Sequence, residues 1–302
     1  LLKMRTLTDF DYAGKSVILR CDLNVPLEGN VITDDGRIKA SLPTIQYLLN
    51  AGAKITILAH LGRPKNGFEA AFSLAPVAKR LSELLNEPVV LAKDLVELSA
   101  TPRETHKVRM LENIRFFSQE TSKDEKERVL FATQLAEFGE IYVGDGFGAV
   151  HRKHASVYEL PNLLPNVAGR LIVAEVEVLK KLTVDPVRPY AVVLGGAKVA
   201  DKIGVISNLL EKVDVLAIGG GMVFTFISAL GHEIGKSMVD LELIDDVKAI
   251  IKRANDLNVK LLLPTDVVVA PDFSKDSPAS IVSISNIPVD QIGLDIGPDS
   301  AK

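Results

Sequence analysis

The sequence predicts an α/β protein built from two parallel-sheet halves in series, and three observations carry that reading. Short apolar runs alternate with stretches of helical period along the 302 residues, as strands and crossover helices do in a parallel sheet. Six of those runs stop at a polar or glycine cluster. The run 17–19 stops at Arg20 to Asn24, 55–58 at His60 to Arg63, and 110–111 at Glu112 to Arg115. The run 141–143 precedes Asp145 and then His151-Arg152, 191–194 stops at Gly195 to Lys198, and 215–218 at Gly219 to Gly221. Ligands of open parallel sheets sit outside the carboxyl ends of the strands. Those ends carry arginines in the first half and glycines with lysines in the second, so an anionic substrate is expected on one half and a nucleotide on the other. Third, the stretch between 143 and 190 holds Pro161, Pro165 and Gly169 and closes with Asp185-Pro186 and Arg188-Pro189, which marks a boundary.

Taken in order, strands are predicted at 16–21, 54–59, 88–92, 108–111, 140–144, 190–195, 215–218 and 260–263. Helices are predicted at 42–51, 74–86, 123–138, 170–183, 201–211, 222–230 and 242–257. Pro43 suits a first helical turn, and Gly52 and Gly139 suit helix ends. Ala75, Ala78, Leu81, Leu84 and Leu85 recur at helical spacing, which supports 74–86. The expected organisation is a first lobe over 1–168, a connecting helix over 169–184 and a second lobe over 185–302.

Composition narrows the function. A hydrophobic content of 47% and a charged content of 25% describe a globular protein. The net charge of −4 provides no general attraction to nucleic acid or an anionic membrane, so neither is expected as a partner and any basic site must be local. The single cysteine, Cys21, excludes an internal disulfide framework. Residues 1–4 begin no long apolar segment, and no run approaches 18 apolar residues, so nothing predicts membrane or export targeting.

In the second half, Gly195-Gly196 permits a tight turn and close backbone approach, with Lys198 beside it. Lys202, four residues on, falls on the same face once a helix begins. A glycine turn, a helix N-terminus and two lysines suit a polyphosphate. A plain βα turn with solvated lysines fits the fragment equally, but a second turn at Gly219-Gly220-Gly221 favours the nucleotide.

In the first half, Arg37, Arg63, Arg115 and Arg152 are expected to be cations without acidic partners. Guanidinium groups bind phosphate and carboxylate in bidentate fashion. Alone, each is more often a solvated or ion-paired side chain; as a set at strand ends the binding reading is the better one. Asp22 and Asn24 could orient a substrate hydroxyl, or Asp22 could be a strand-end turn residue. His60, His151 and His154 show neither H-E-x-x-H nor cysteine pairing, so zinc is not expected. His60 could act as a general base but is not needed if a phosphate oxygen is the acceptor, since that group is already ionised. The Walker motif and the protein-kinase set are absent, and no G-x-G-x-x-G opens the first helix as in a dehydrogenase.

The strings RCDLNVP (20–26), DDGRI (34–38), HLGRP (60–64), LENIRF (111–116), GDGFGAVHRKHAS (144–156), LGGAKVADKIGVI (194–206), IGGGMVFTF (218–226), LPTDVVVA (263–270) and GLDIGP (293–298) together resemble phosphoglycerate kinase, in family order from Arg5 to the last residue. LGGAKVxDKI is specific by itself, and HLGRP is weak. The resemblance implies two Rossmann-like lobes and a hinge-bending glycolytic kinase, cytoplasmic and monomeric. Its reaction would be phosphoryl transfer between 1,3-bisphosphoglycerate and ADP, giving 3-phosphoglycerate and ATP, with Mg2+ carried on the ADP or ATP. By match of motif, Asp22, Asn24, Arg37, His60, Leu61, Gly62, Arg63, Arg115 and Arg152 would bind phosphoglycerate. Gly196, Ala197, Lys198, Lys202, Gly221 and Gly293 would line the nucleotide site. Arg37 and Lys198 would be catalytic, meeting the transferring phosphoryl group when the lobes close.

Three departures accompany the resemblance. Gly146 and Val150 alter the usual N-D-A-F-G-x-A-H-R string while Arg152 is kept, and 92–107 is short and irregular. The chain also stops at Lys302 before the family's W-N-G-P-x-G-x-F-E and G-G-G-D-[ST] segments. The second lobe is therefore expected to be truncated, with the metal–phosphate ligand beyond Lys302 and no metal ligand within the chain. A non-catalytic anion-binding fragment of such an enzyme is the alternative.

Overall fold

The computed structural model describes residues 4–65, 67–184 and 186–302. They divide into two compact units, Leu1–Leu179 and Lys180–Lys302, so the division falls inside the helix Arg170–Thr183.

The first unit holds strands β1 Ser16–Cys21, β2 Leu27–Glu28, β3 Val31–Ile32, β4 Lys54–Leu58, β5 Val89–Ala92, β6 Val108–Leu111, β7 Ile141–Asp145 and β8 Asn166–Ala168. Its helices are α1 Gly36–Asn50, α2 Ala75–Leu85, α3 Leu95–Ala100, α4 Glu125–Ala136 and α5 Leu160–Leu163, and the divided helix is α6 Arg170–Thr183. Six strands form one parallel sheet in the order β5-β6-β4-β1-β7-β8. Every residue of β1 is buried, because both faces of the sheet are covered. Val17, Leu19 and Cys21 point to one face and pack with Ile38, Ile45 and Leu48 of α1. Ile18 points to the other and packs with Phe131 and Leu135 of α4 and Leu160 of α5. The chain passes from β1 outward to β4 on one side and returns to β7 on the other, so β1 sits where the winding reverses. Its carboxyl end is the expected ligand position.

Two parts of this unit differ from expectation. The helix predicted at 42–51 starts at Gly36, and Pro43 lies inside it. An interior proline forgoes the bond to the carbonyl four residues back and costs about 3 kcal/mol. Burial of Ile38, Ile45 and Leu48 on one face offsets that cost. The early start brings Arg37 to the end of β1. The loop expected before α6 also contains structure: a 3-10 turn at Phe147–Ala149, a π-turn at Ala155–Glu159, α5 and the edge strand β8. These pieces are too short to show a period.

In the second unit, β9 Ala191–Gly195, β10 Val215–Gly219 and β11 Lys260–Leu262 form a parallel sheet in the order β11-β10-β9. The helices are α7 Ile203–Leu209, α8 Val223–Ala229 and α9 Ile244–Asp256. Sequence patterning missed a second, antiparallel sheet of β12 Asp266–Ala270, β13 Ser280–Ser283 and β14 Ile292–Ile296, in the order β13-β12-β14. Only β12 is a clear apolar run; its partners are short and broken by polar residues, so their pairing is a non-local event. Helices α7 and α8 are shorter than the predicted 201–211 and 222–230 because turns occupy their ends. Among the described residues no helix is long and apolar enough to cross a membrane.

Candidate functional site

The carboxyl ends of β1, β4 and β6 bring together most of the predicted anion-binding residues. Asp22 follows β1, and its Oδ2 accepts a hydrogen bond from Arg37 Nη1 at 2.6 Å. This corrects the expectation that the arginines lack acidic partners: the early start of α1 supplies one that the linear motif does not display. Asp22 Oδ1 accepts the Asn24 N–H at 3.3 Å. Asn24 Oδ1 accepts the Gly62 N–H at 2.7 Å, so this oxygen fixes the turn after β4 rather than standing free for a hydroxyl.

Gly62 organises the turn. Its φ of +59° lies in the left-handed region, and a Cβ there would enter the ring of Phe72. Its carbonyl accepts from Arg115 Nη1 at 2.6 Å. Asn113, not singled out by sequence, donates from Nδ2 to the carbonyls of Leu61 at 2.7 Å and Phe72 at 2.9 Å, and accepts the Arg115 N–H at 3.1 Å. A cavity of about 400 Å³ lined by Asn24, Leu61, Gly62 and Phe72 adjoins the turn. Arg115 is half-buried; burial first, and then the neighbouring Arg152 and Arg20, lower its pKa to about 10, so it stays charged at neutral pH. Arg63 is exposed and Arg152 half-buried. The loop after β7 closes against the same strand end, since a Cβ on Gly148 would lie 2.6 Å from Asp22 Oδ2.

His60 is buried, with Nδ1 3.2 Å from Nη2 of Arg20. Burial, then Arg20, Arg115, His154 and Arg152, push its pKa down to about 2, so the ring is neutral at pH 7. Relative to an unfolded histidine near 6.5, this folded value is depressed. Its favourable contribution is therefore complete above pH 6.5 and lost as pH falls from 6.5 toward 2. The carbon-bound proton resonances of His60 should accordingly stay fixed between pH 8 and pH 5 in a proton NMR titration; a midpoint near 6.5 would contradict the buried, neutral ring. Arg20, Glu120 and Ser156, which back this cluster, were not assigned to the site from sequence. A charged residue inside the apolar run of β1 was the available signal for Arg20; for Glu120 and Ser156 there was none.

In the second unit, the turns after β9 and β10 lie against each other. Gly220 has φ +67°, and a Cβ on it would stand 2.8 Å from the Gly196 carbonyl oxygen and 2.9 Å from the Gly196 nitrogen. A Cβ on Gly221 would stand 3.0 Å from the Ala197 oxygen, and the Met222 N–H donates to the Gly196 carbonyl at 2.9 Å. Lys198 is exposed, and the methylenes of Lys202 lie over Gly196. Lys202 does not lie inside a helix as the 201–211 prediction expected: α7 starts at Ile203, and Lys202 ends the turn before it. Asp240, unforeseen, fixes that turn by accepting the N–H groups of Val199 at 2.9 Å and Ala200 at 3.2 Å. Gly293 lies buried in β14, where a side chain would strike Phe224 of α8.

Arginines at the strand ends of one unit, and glycine turns with lysines at the strand ends of the other, are the parts of an α/β phosphotransferase. The family model described as phosphoglycerate kinase matches residues 7–302. The chain is 51% identical to a phosphoglycerate kinase of Leifsonia xyli, covering 100% of this chain and 77% of that protein. It is 53% identical to one of Streptomyces griseus, covering 96% of this chain and 74% of the relative. The structure of phosphoglycerate kinase from Coxiella burnetii superposes with a TM-score of 0.81 at 38% identity, covering 99% of this chain and 76% of that one. The enzyme from Pyrococcus horikoshii does so with a TM-score of 0.76 at 29% identity, over 99% of this chain and 76% of its own. The chain belongs to the phosphoglycerate kinase family and spans about three quarters of the length of these relatives.

Proposed function

We propose that the protein catalyses reversible phosphoryl transfer from 1,3-bisphosphoglycerate to ADP, giving 3-phosphoglycerate and ATP. The observation that carries this reading is the gathering of Arg37, Arg63, Arg115, Arg152 and neutral His60 about the strand ends of the first unit, on motifs in family order. Asp22 orients Arg37 while leaving four of its five N–H donors for an anion. Asn24, Leu61 and Gly62 form the turn that aims Arg115. The acceptor phosphate or carboxylate is ionised at neutral pH, so the protein's task is positioning and charge stabilisation rather than proton abstraction. In the second unit, the close glycine turns leave backbone at Gly196, Ala197 and Gly221 open to a polyphosphate. Lys202 then contributes nucleotide affinity, Lys198 meets charge that develops on the transferred group, and Gly293 shapes the site by admitting Phe224.

Magnesium enters this scheme as part of the nucleotide substrate. Among the described residues no group of three or more His, Cys, Asp or Glu could hold a metal ion. A monomer suffices, since one chain carries both sets of residues, and the cytoplasm is the compartment this reading implies.

The test combines a coupled assay for ATP formation with calorimetric titration of 3-phosphoglycerate. Arg63→Ala should weaken 3-phosphoglycerate binding by roughly 1.5–3 kcal/mol, the range for hydrogen bonds to charged groups. A variant that binds like the parent removes Arg63 from the site.

A further inference from the structure

Behind the arginines lies a set of buried polar side chains to which phosphoryl transfer assigns no task. Arg20 is 1% exposed, yet three of its donors are satisfied. Nε donates to Ser156 Oγ at 2.9 Å, Nη1 to the Cys21 carbonyl at 2.5 Å, and Nη2 meets His60 Nδ1 at 3.2 Å. Ser156 Oγ then donates to Glu120 Oε1 at 2.7 Å, and Glu120 Oε2 accepts the Ser156 N–H at 2.9 Å. Glu120 and Ser156 are both fully buried. Ser156 sits in the π-turn Ala155–Glu159, a rare local form that is frequent at functional sites. The turn is held from two sides: Tyr142 Oη donates to the Ser156 carbonyl at 3.0 Å, and Arg128 Nε donates to Glu159 Oε1 at 2.7 Å.

The direction of each bond follows from inventory. A guanidinium has five N–H donors and no acceptor, so in the Arg20–His60 bond Nδ1 must accept. A neutral imidazole whose Nδ1 accepts carries its proton on Nε2. Likewise the Ser156 hydroxyl accepts from Arg20 and passes its own proton toward Glu120. The carboxylate compensates the buried guanidinium charge through one intervening hydroxyl, which leaves the Nη2 corner of Arg20 free to hold the ring.

We propose that Glu120 and Ser156 are positioning residues that fix Arg20, and that Arg20 thereby locks His60 as the Nε2–H tautomer, an uncharged hydrogen-bond donor to the anionic substrate. The general-base role left open for His60 is then closed. Nδ1 is occupied by a guanidinium, and Nε2 already carries a proton. The arrangement adds a directional donor to a cluster that already holds Arg115 and Arg152, without adding another like charge among them. The substrate part of this inference rests on the phosphoglycerate reading; the tautomer does not.

Nitrogen-15 imidazole spectra of the ligand-free protein at pH 7 provide the test. His60 should show a protonated Nε2 and an unprotonated Nδ1; a proton on Nδ1, or on both nitrogens, overturns the assignment without need of any variant. Ser156→Ala should convert His60 to a mixture of tautomers and weaken 3-phosphoglycerate binding about tenfold, whereas Arg63→Ala should leave the His60 spectrum unchanged. A folded Ser156→Ala protein with the parent's His60 spectrum and the parent's affinity overturns the positioning role. Should Ser156→Ala not fold, Glu120→Gln is read the same way. A parent protein with the Nε2–H ring but no affinity for 3-phosphoglycerate supports the tautomer and overturns the functional reading instead.

Discussion

Gly62→Ala is expected to abolish measurable 3-phosphoglycerate binding and to destabilise the protein by about 2–5 kcal/mol, the sum of a left-handed backbone forced on alanine and an overpacked contact. Three features of the turn combine here. The φ of +59° disfavours any side chain, the new methyl would enter the Phe72 ring, and both backbone groups of the residue are in use. The N–H is bonded to Asn24 and the carbonyl to Arg115, so a shift of the turn moves residues from two other strand ends at once. Calorimetry reports the lost affinity and urea denaturation the lost stability. Parent-like values in both would show that the turn absorbs the methyl and does not position Arg115.

Lys198→Ala should lower kcat by roughly 10²–10³-fold, the effect of removing one preorganised donor aimed at developing charge. The KM for nucleotide should change far less, since an interaction made only in the transition state appears in kcat. Lys202→Ala should instead raise the nucleotide KM, because its side chain lies along Gly196, where a bound polyphosphate would run. Steady-state kinetics of the two variants separate the roles. The same pattern in both would show that the lysines act as one undivided charge.

The distribution of correct and missed elements follows the range of the interactions involved. The helix predicted at 170–183 forms at Arg170–Thr183, and the strand predicted at 16–21 forms at Ser16–Cys21. Both are dictated by neighbours a few residues away: a 3.6-residue period in one, a continuous apolar run in the other. The start of α1 was misplaced because a local rule for Pro43 was overruled by burial of Ile38, Ile45 and Leu48. The antiparallel sheet of the second unit was not seen, because β13 and β14 gain their stability from pairing with β12 rather than from their own composition.

The candidate site divides in the same way. Its arginines, glycines and lysines were readable because strand ends in a parallel sheet are predictable positions, and because a family's motifs are strings of adjacent residues. Their partners were not. Asp22 meets Arg37 across 15 residues, Asn24 meets Gly62 across 38, and Arg20 meets Ser156 across 136. Sequence alone determined the α/β class, the family and the candidate arginines, glycines and lysines at the strand ends. The tertiary structure alone decided which of them are paired, which are buried, and which nitrogen of His60 accepts a proton bond. Pairing and desolvation depend on distances that only the folded chain sets, and at a few ångströms those distances decide the charge and direction of every polar group.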